Sequence, residues 1–175
     1  MTNDLTSRIT LTRGMYAIID AEDFEKVSAH KWYAYKGYSK FYAGKSQWQP
    51  GKKRQRLLCM HNFIFGDVPA GFLIDHINGD GLDNRKCNLR LATRSQNRGN
   101  ARKTVQIFGR PTSSKYKGVC WDKNNNKFTV QMKINNKSHH IGLFSDEIKA
   151  AEAYNKAAIA HFGEFALLND LATSE

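Results

Sequence analysis

Three stretches of the chain have readable hydrophobic patterns, and each predicts different elements. In residues 11–66 the apolar run Met15–Asp20 predicts a short strand, and Ala21–His30 predicts a short helix. Lys31–Gly44 alternates aromatic and polar residues around a turn at Lys36-Gly37, the pattern of a β-hairpin. Gly51–Gly66 begins basic and turns apolar, which predicts a strand or helix packed beneath the next segment of the chain. In residues 71–100 the apolar Phe72-Leu73-Ile74 predicts a strand ending at Asp75-His76. Asn78-Gly79 is a turn signal, Leu89-Arg90-Leu91 a returning strand, and Thr93 the N-cap of a helix running to about Asn100. In residues 115–169, Lys127–Ile134 alternates, with Phe128, Val130, Met132 and Ile134 on one face and Thr129, Gln131 and Lys133 on the other. A turn at Asn135-Asn136 leads to a strand over 137–144, with Ser138 and His140 outward and His139 and Ile141 inward. A helix then runs from Asp146 to about Phe162, burying Ile148, Ala151, Ala158 and Ile159.

The chain is therefore read as α+β. An N-terminal β-rich region (1–66) leads into a strand–loop–strand–helix core (67–100). A basic linker (101–114) joins this to a three-stranded antiparallel sheet packed on one helix (115–175). No internal repeat is visible.

Charge sharpens this layout. The 175 residues carry 27 Lys and Arg against 16 Asp and Glu, a net +11, which points to a polyanionic partner. Residues 26–66 hold nine basic residues and no acid, and residues 84–121 hold ten and no acid. The stretch 67–83 between them holds four acids and no base, where a divalent metal fits. The longest apolar runs fall far short of the roughly 18 residues a membrane span needs, so no membrane partner is expected. With no apolar leader at the N-terminus, a cytoplasmic location is expected, in a bacterial or phage-infected cell. Three scattered cysteines (Cys59, Cys87, Cys120) form no CxxC pair, so neither a disulfide framework nor a structural zinc is expected.

The chemistry concentrates in 71–100. Hydrolysis of a phosphodiester needs a metal to neutralise charge, a base to take a proton from water, and something to hold that base in one tautomer. Asp75 and Asn97 offer the hard oxygens that Mg²⁺ or Mn²⁺ prefers. His76 can act as the base, Asn88 can brace His76 or its loop, and Arg90, Arg94 and Arg98 can approach phosphates.

Asp75–Asp80 (DHINGD), Asn84–Leu89 (NRKCNL) and Ala92–Asn97 (ATRSQN) resemble the HNH endonuclease motif in its phage and intron homing form, in which asparagine takes the place of the last histidine. That resemblance implies a ββα-metal finger, His76 as general base, Asp75 and Asn97 as ligands of one divalent metal, and Asn88 as the structural middle residue. His61 matches a histidine often seen upstream and is expected to pack or touch phosphate. The unit 115–169, with Gly118-Val119, Gly142, Phe144, the Ala150–Tyr154 run and Leu168-Asn169, resembles the plant apetala/ethylene-response-factor domain, which binds duplex DNA through its sheet. Carried over by position, its contacts are Lys117, Cys120, Gln131, Lys133, Ser138 and His140, with Trp121 beside them. Cys120 and Ser138 stand where plant members carry arginines, so the plant target sequence is not implied.

Together these features predict a site-directed, metal-dependent endonuclease of the homing type that nicks double-stranded DNA. Further contacts are expected from Lys52, Lys53, Arg54, Arg94, Arg98, Arg102 and Lys103. A monomer is favoured, with a dimer as the route to a double-strand break. The competing readings are a DNA-binding regulator with an inactive finger and an RNA-binding basic protein.

Overall fold

The computed structural model describes residues 5–38, 40–49, 51–52, 54–103, 106–107 and 110–171. Lys53, one of the expected DNA contacts, lies outside the described residues. The chain is mixed α and β, built from several small antiparallel sheets and few helices, and divides into two compact units, Met1–Ala92 and Thr93–Glu175.

The first unit opens with β1 (Thr6–Thr10) paired antiparallel to β2 (Tyr16–Asp20). Between them Arg13 and Gly14 both take positive φ, which closes the tight turn. The short helix expected after β2 is α1 (Phe24–Ser28). The aromatic hairpin is β3 (Tyr33–Lys36) and β4 (Phe41–Gln49), and β4 continues into a second hairpin with β5 (Arg54–Cys59). The basic-to-apolar stretch therefore supplies a strand and then a helix, α2 (Met60–Phe65). β6 (Phe72–His76) and β7 (Leu89–Thr93) form a separate two-stranded sheet.

One apolar cluster holds this unit. Ile19, Val27 and Met60 are fully buried, joined by Ile9, Leu11, Trp32, Ile64, Ile74 and Leu89. Each such side chain contributes about 1.5–3 kcal/mol of burial. The loop after β6 is pinned to β2 by backbone bonds, Ile18 N–H to Leu82 O (2.9 Å) and Asn84 N–H to Ile18 O (2.7 Å). This fixes the segment between the two chemically important strands.

In the second unit the Thr93 hydroxyl accepts from Gln96 N–H, and the Gln96 side chain accepts from Thr93 N–H. This capping box starts α3 (Arg94–Gly99) where the sequence predicts. Within the stretch read as a linker, β8 (Gln106–Ile107) and β9 (Arg110–Pro111) pair antiparallel. β10 (Val119–Asp122), β11 (Lys127–Ile134) and β12 (Lys137–Phe144) form an antiparallel sheet in that order, packed on α4 (Glu147–Phe162), whose N-cap is Asp146.

Two expectations for this unit are corrected. The buried stripe of α4 is Ala150, Ala151, Tyr154, Ala158 and Phe162, at three- and four-residue steps, whereas Ile159 is 54% exposed. A position next to Ala158 is turned about 100° around the helix, off that stripe. His139 pairs with Met132 and so lies on the helix side of the sheet, yet it is exposed. It sits near the β11–β12 turn, beyond the cover of α4.

Candidate active site and nucleic-acid interface

β6 carries Asp75 and His76 as its last two residues, and both are buried, at 4% and 3% exposure. Because a strand alternates its side chains, the two point to opposite faces and meet different partners. Asp75 Oδ2 accepts from Arg90 Nε on β7 and pairs with Arg90 Nη2, each at 3.1 Å. His76 Nε2 lies 3.4 Å from Asn84 Oδ1. Asn84 Nδ2 donates to Leu82 O, so its oxygen faces the imidazole as an acceptor. That arrangement puts the proton on Nε2 and leaves Nδ1 as the basic nitrogen. Burial pushes the His76 pKa down, opposed by the Asn84 bond and reinforced by the Lys40 charge, which keeps the ring neutral at pH 7.

Asn84, fully buried, was not anticipated as a site residue. Nor were Lys40 and Tyr42. Lys40 Nζ donates to Gly79 O at 2.8 Å, and the Tyr42 ring lies 5.9 Å from His76. Both come from the β3–β4 hairpin, far away in sequence, so no local signal could have found them. Asn84 had one, its place in the Asn-rich loop after the strand. Gly81 allows this approach: a Cβ there would sit 2.4 Å from Phe41 O and 2.6 Å from Tyr42 Cδ1.

His61, on α2, stands edge-on to His76 with ring centroids 5.0 Å apart. Its Nδ1 is buried with no hydrogen-bond partner among the described residues, and burial pushes its pKa down to about 3. It is a neutral packing residue of the His76 pocket.

Of its two expected roles, bracing His76 or bracing its loop, Asn88 takes the second. Its Oδ1 accepts from Asn78 N–H (2.9 Å), and its Nδ2 donates to Asn78 Oδ1 (3.0 Å) and to Asp83 O (2.7 Å). The acidic stretch 67–83 is also less free than its charge count implies. Asp83 binds Arg85 at 2.7 Å, which holds its carboxyl below the usual range, and Asp80 Oδ1 accepts from Leu82 N–H. Asp75, next to His76 in the chain, is likewise engaged, by Arg90.

Among the described residues, no three or more His, Cys, Asp or Glu side chains are grouped to hold a metal. Asp75 supplies a hard carboxylate oxygen of the kind a divalent ion prefers. Asn97 lies partly exposed on α3, in the second unit.

The outer face of the second unit's sheet is set by register. Gln131 pairs with His140, Lys133 with Ser138 and Cys120 with Thr129, while Trp121 pairs with Phe128 on the helix side. Cys120, Gln131, Lys133, Ser138 and His140 are exposed. Ser138 Oγ donates to Gln131 Oε1 at 3.1 Å, so the two present a joined polar patch. Arg94, Arg98 and Arg102 are at least partly exposed, as are Lys52 and Arg54 in the first unit. The β4–β5 ribbon adds Gln47 and Arg56, a cross-strand pair on the same face as Arg54. Two of the lysines are occupied internally: Lys103 Nζ donates to Tyr116 O and Val119 O, and Lys117 Nζ to Gly99 O.

The HNH endonuclease family profile matches residues 53–98, which include Asp75, His76, Asn88 and Asn97. A protein of Acanthamoeba polyphaga mimivirus, named an uncharacterized HNH endonuclease, is 34% identical over 166 residues, covering 91% of this chain and 77% of that protein. No solved structure matches the chain.

Proposed function

This chain belongs to the HNH endonuclease family and is a nuclease, and we propose that it is a homing-type, metal-dependent endonuclease that nicks duplex DNA near a site it recognises. The observation that carries this reading is the buried Asp75-His76 pair, one residue held by Arg90 and the other by Asn84.

A divalent ion, Mg²⁺ or Mn²⁺, held by Asp75 and Asn97 in a ββα-metal finger, would supply neutralisation of charge on the phosphate and on the departing 3′ oxygen. The chain's own residues do the rest. His76 takes a proton from the attacking water at Nδ1, and Asn84 keeps Nε2 protonated so that Nδ1 stays basic. Arg90 orients the Asp75 carboxylate. Asn88 holds the loop that comes after His76, and the pocket of His61 and Tyr42 limits the ring's rotation.

The second unit is the DNA-gripping module. The resemblance to the apetala/ethylene-response-factor domain, the three-stranded sheet on one helix and the outward Cys120, Gln131, Lys133, Ser138 and His140 support this. Arg94, Arg98 and Arg102, with Lys52 and Arg54 of the first unit, contact the phosphate backbone. One motif per chain favours a monomer that cuts one strand per binding event.

The test is cleavage of a supercoiled plasmid carrying DNA from the gene's own genomic neighbourhood, with Mg²⁺ or Mn²⁺. Open-circular product appears first and is lost in chelator. His76→Ala abolishes cleavage and leaves DNA binding intact. Full activity in that variant overturns the assignment, and linear product without an open-circular stage overturns nicking.

A further inference from the structure

A helix of six residues does not hold itself together in water, because nucleation costs more than so few hydrogen bonds return. α3, which carries Asn97, is that short. Beyond its capping box it depends on docking within the second unit, and the dock is specific. Gly99 is buried against Phe162, where a Cβ would come within 2.7 Å of Cγ. Gly99 O accepts from Leu167 N–H (3.0 Å) and from Lys117 Nζ (2.5 Å), and Lys117 Nζ also lies 3.4 Å from Arg98 O. At the β11–β12 turn, Asn135 N–H donates to Ser95 Oγ and Arg98 Nη2 to Asn136 Oδ1.

We propose that Lys117 is a positioning residue for the nuclease reaction: it locks the C-terminal end of α3 into the DNA-gripping unit and so sets Asn97, and it does not itself contact DNA. This rests on the proposed function, in which Asn97 helps hold the metal. Three observations carry it. The ammonium satisfies the last carbonyls of α3, where a cation is also favoured by the helix dipole. The Lys117 backbone is clamped on both sides by Asn169, whose Oδ1 accepts from Lys117 N–H (2.6 Å) and whose Nδ2 donates to Lys117 O (3.1 Å). Burial also pushes the Lys117 pKa down to about 8, as for a group withdrawn from solvent rather than displayed to a polyanion.

The test uses the full chain with Lys117→Met and Lys117→Arg. Lys117→Met is expected to lower the single-turnover cleavage rate at saturating DNA by at least about tenfold. It weakens Mn²⁺ binding to the protein–DNA complex and speeds hydrogen exchange of the α3 amides. The salt slope of DNA binding in chelator stays unchanged, since Arg94 and Arg98 of α3 keep their charge, and Lys117→Arg recovers part of the rate. A phosphate contact would do the reverse: DNA affinity would fall, the salt slope would shrink by about one, and the rate at saturation would hold. That result overturns the proposal, as does unchanged α3 exchange.

If Lys117→Met does not fold cooperatively, Gly99→Ala displaces α3 instead, and adding Phe162→Leu restores the rate. A fully active Gly99→Ala overturns the proposal. Wild-type protein that cuts no DNA would sink the nuclease mechanism, while α3 exchange would still report on the dock.

Discussion

Asn88 separates a structural role from a chemical one at this site. It is 5% exposed, and its side chain makes three hydrogen bonds, to Asn78 N–H, Asn78 Oδ1 and Asp83 O. Replacing it with alanine removes all three, at about 1 kcal/mol each. The two Asn78 groups lie near the surface and can turn to water. The Asp83 carbonyl belongs to a residue 3% exposed and loses a 2.7 Å partner, which adds a desolvation penalty of about 1–3 kcal/mol. Water at the Asn78 end offsets part of this, so the net expectation is a loss of about 2–4 kcal/mol. Asn88→Asp keeps the acceptor for Asn78 N–H, gives up both donor bonds and sets an anion against the Asp83 carbonyl, so it fares no better. The assay is urea unfolding of the full chain monitored by tryptophan fluorescence, with Trp32 buried in the first unit as the reporter. The same preparations are then tested for cleavage. Cleavage should fall only as far as stability does, in contrast to His76→Ala, which loses cleavage outright. A stability loss below about 1 kcal/mol, or cleavage abolished with stability intact, refutes the bracing role.

The geometry supports two further perturbations. His61 has a pKa near 3 in the folded chain against 6.5 ordinarily, so the unfolded chain binds an extra proton throughout that window. Stability is therefore complete above pH 6.5 and falls as the pH drops toward 3, by up to about 1.4 kcal/mol per pH unit from this group. His61→Phe flattens that slope in urea melts between about pH 4 and pH 6.5, and an unchanged slope contradicts the burial. Gly118 has φ +76°, and a Cβ there would lie 2.1 Å from Tyr154 Cδ2. Gly118→Ala should cost the second unit about 2–4 kcal/mol through left-handed strain and overpacking. Thermal melts read through Trp121 check this, and a change under about 0.5 kcal/mol refutes it.

Local signals in the sequence determined most of the elements. The alternation of 127–134, the Thr93 N-cap and the Asn78-Gly79 turn depend on neighbours within a few residues, so they can be read directly. The Asp75-His76 pair, Asn88 and Asn97 stand out for the same reason, their spacing along one motif, and their chemical roles are the ones we propose. Only the tertiary structure decided what those residues touch. Asn84, Lys40 and Tyr42 reach the His76 loop because β2 and the β3–β4 hairpin fold against it, contacts between segments up to 66 residues apart, such as Asp20 with Lys86. Charge counting could not show that Arg85 and Arg90 engage two of the four acids, because a formal charge says nothing about its partner. Nor could it show that Lys103 and Lys117 turn inward. A lysine reads as a surface cation until the fold brings carbonyls within reach of its ammonium. At Lys117 those carbonyls end the helix that bears Asn97.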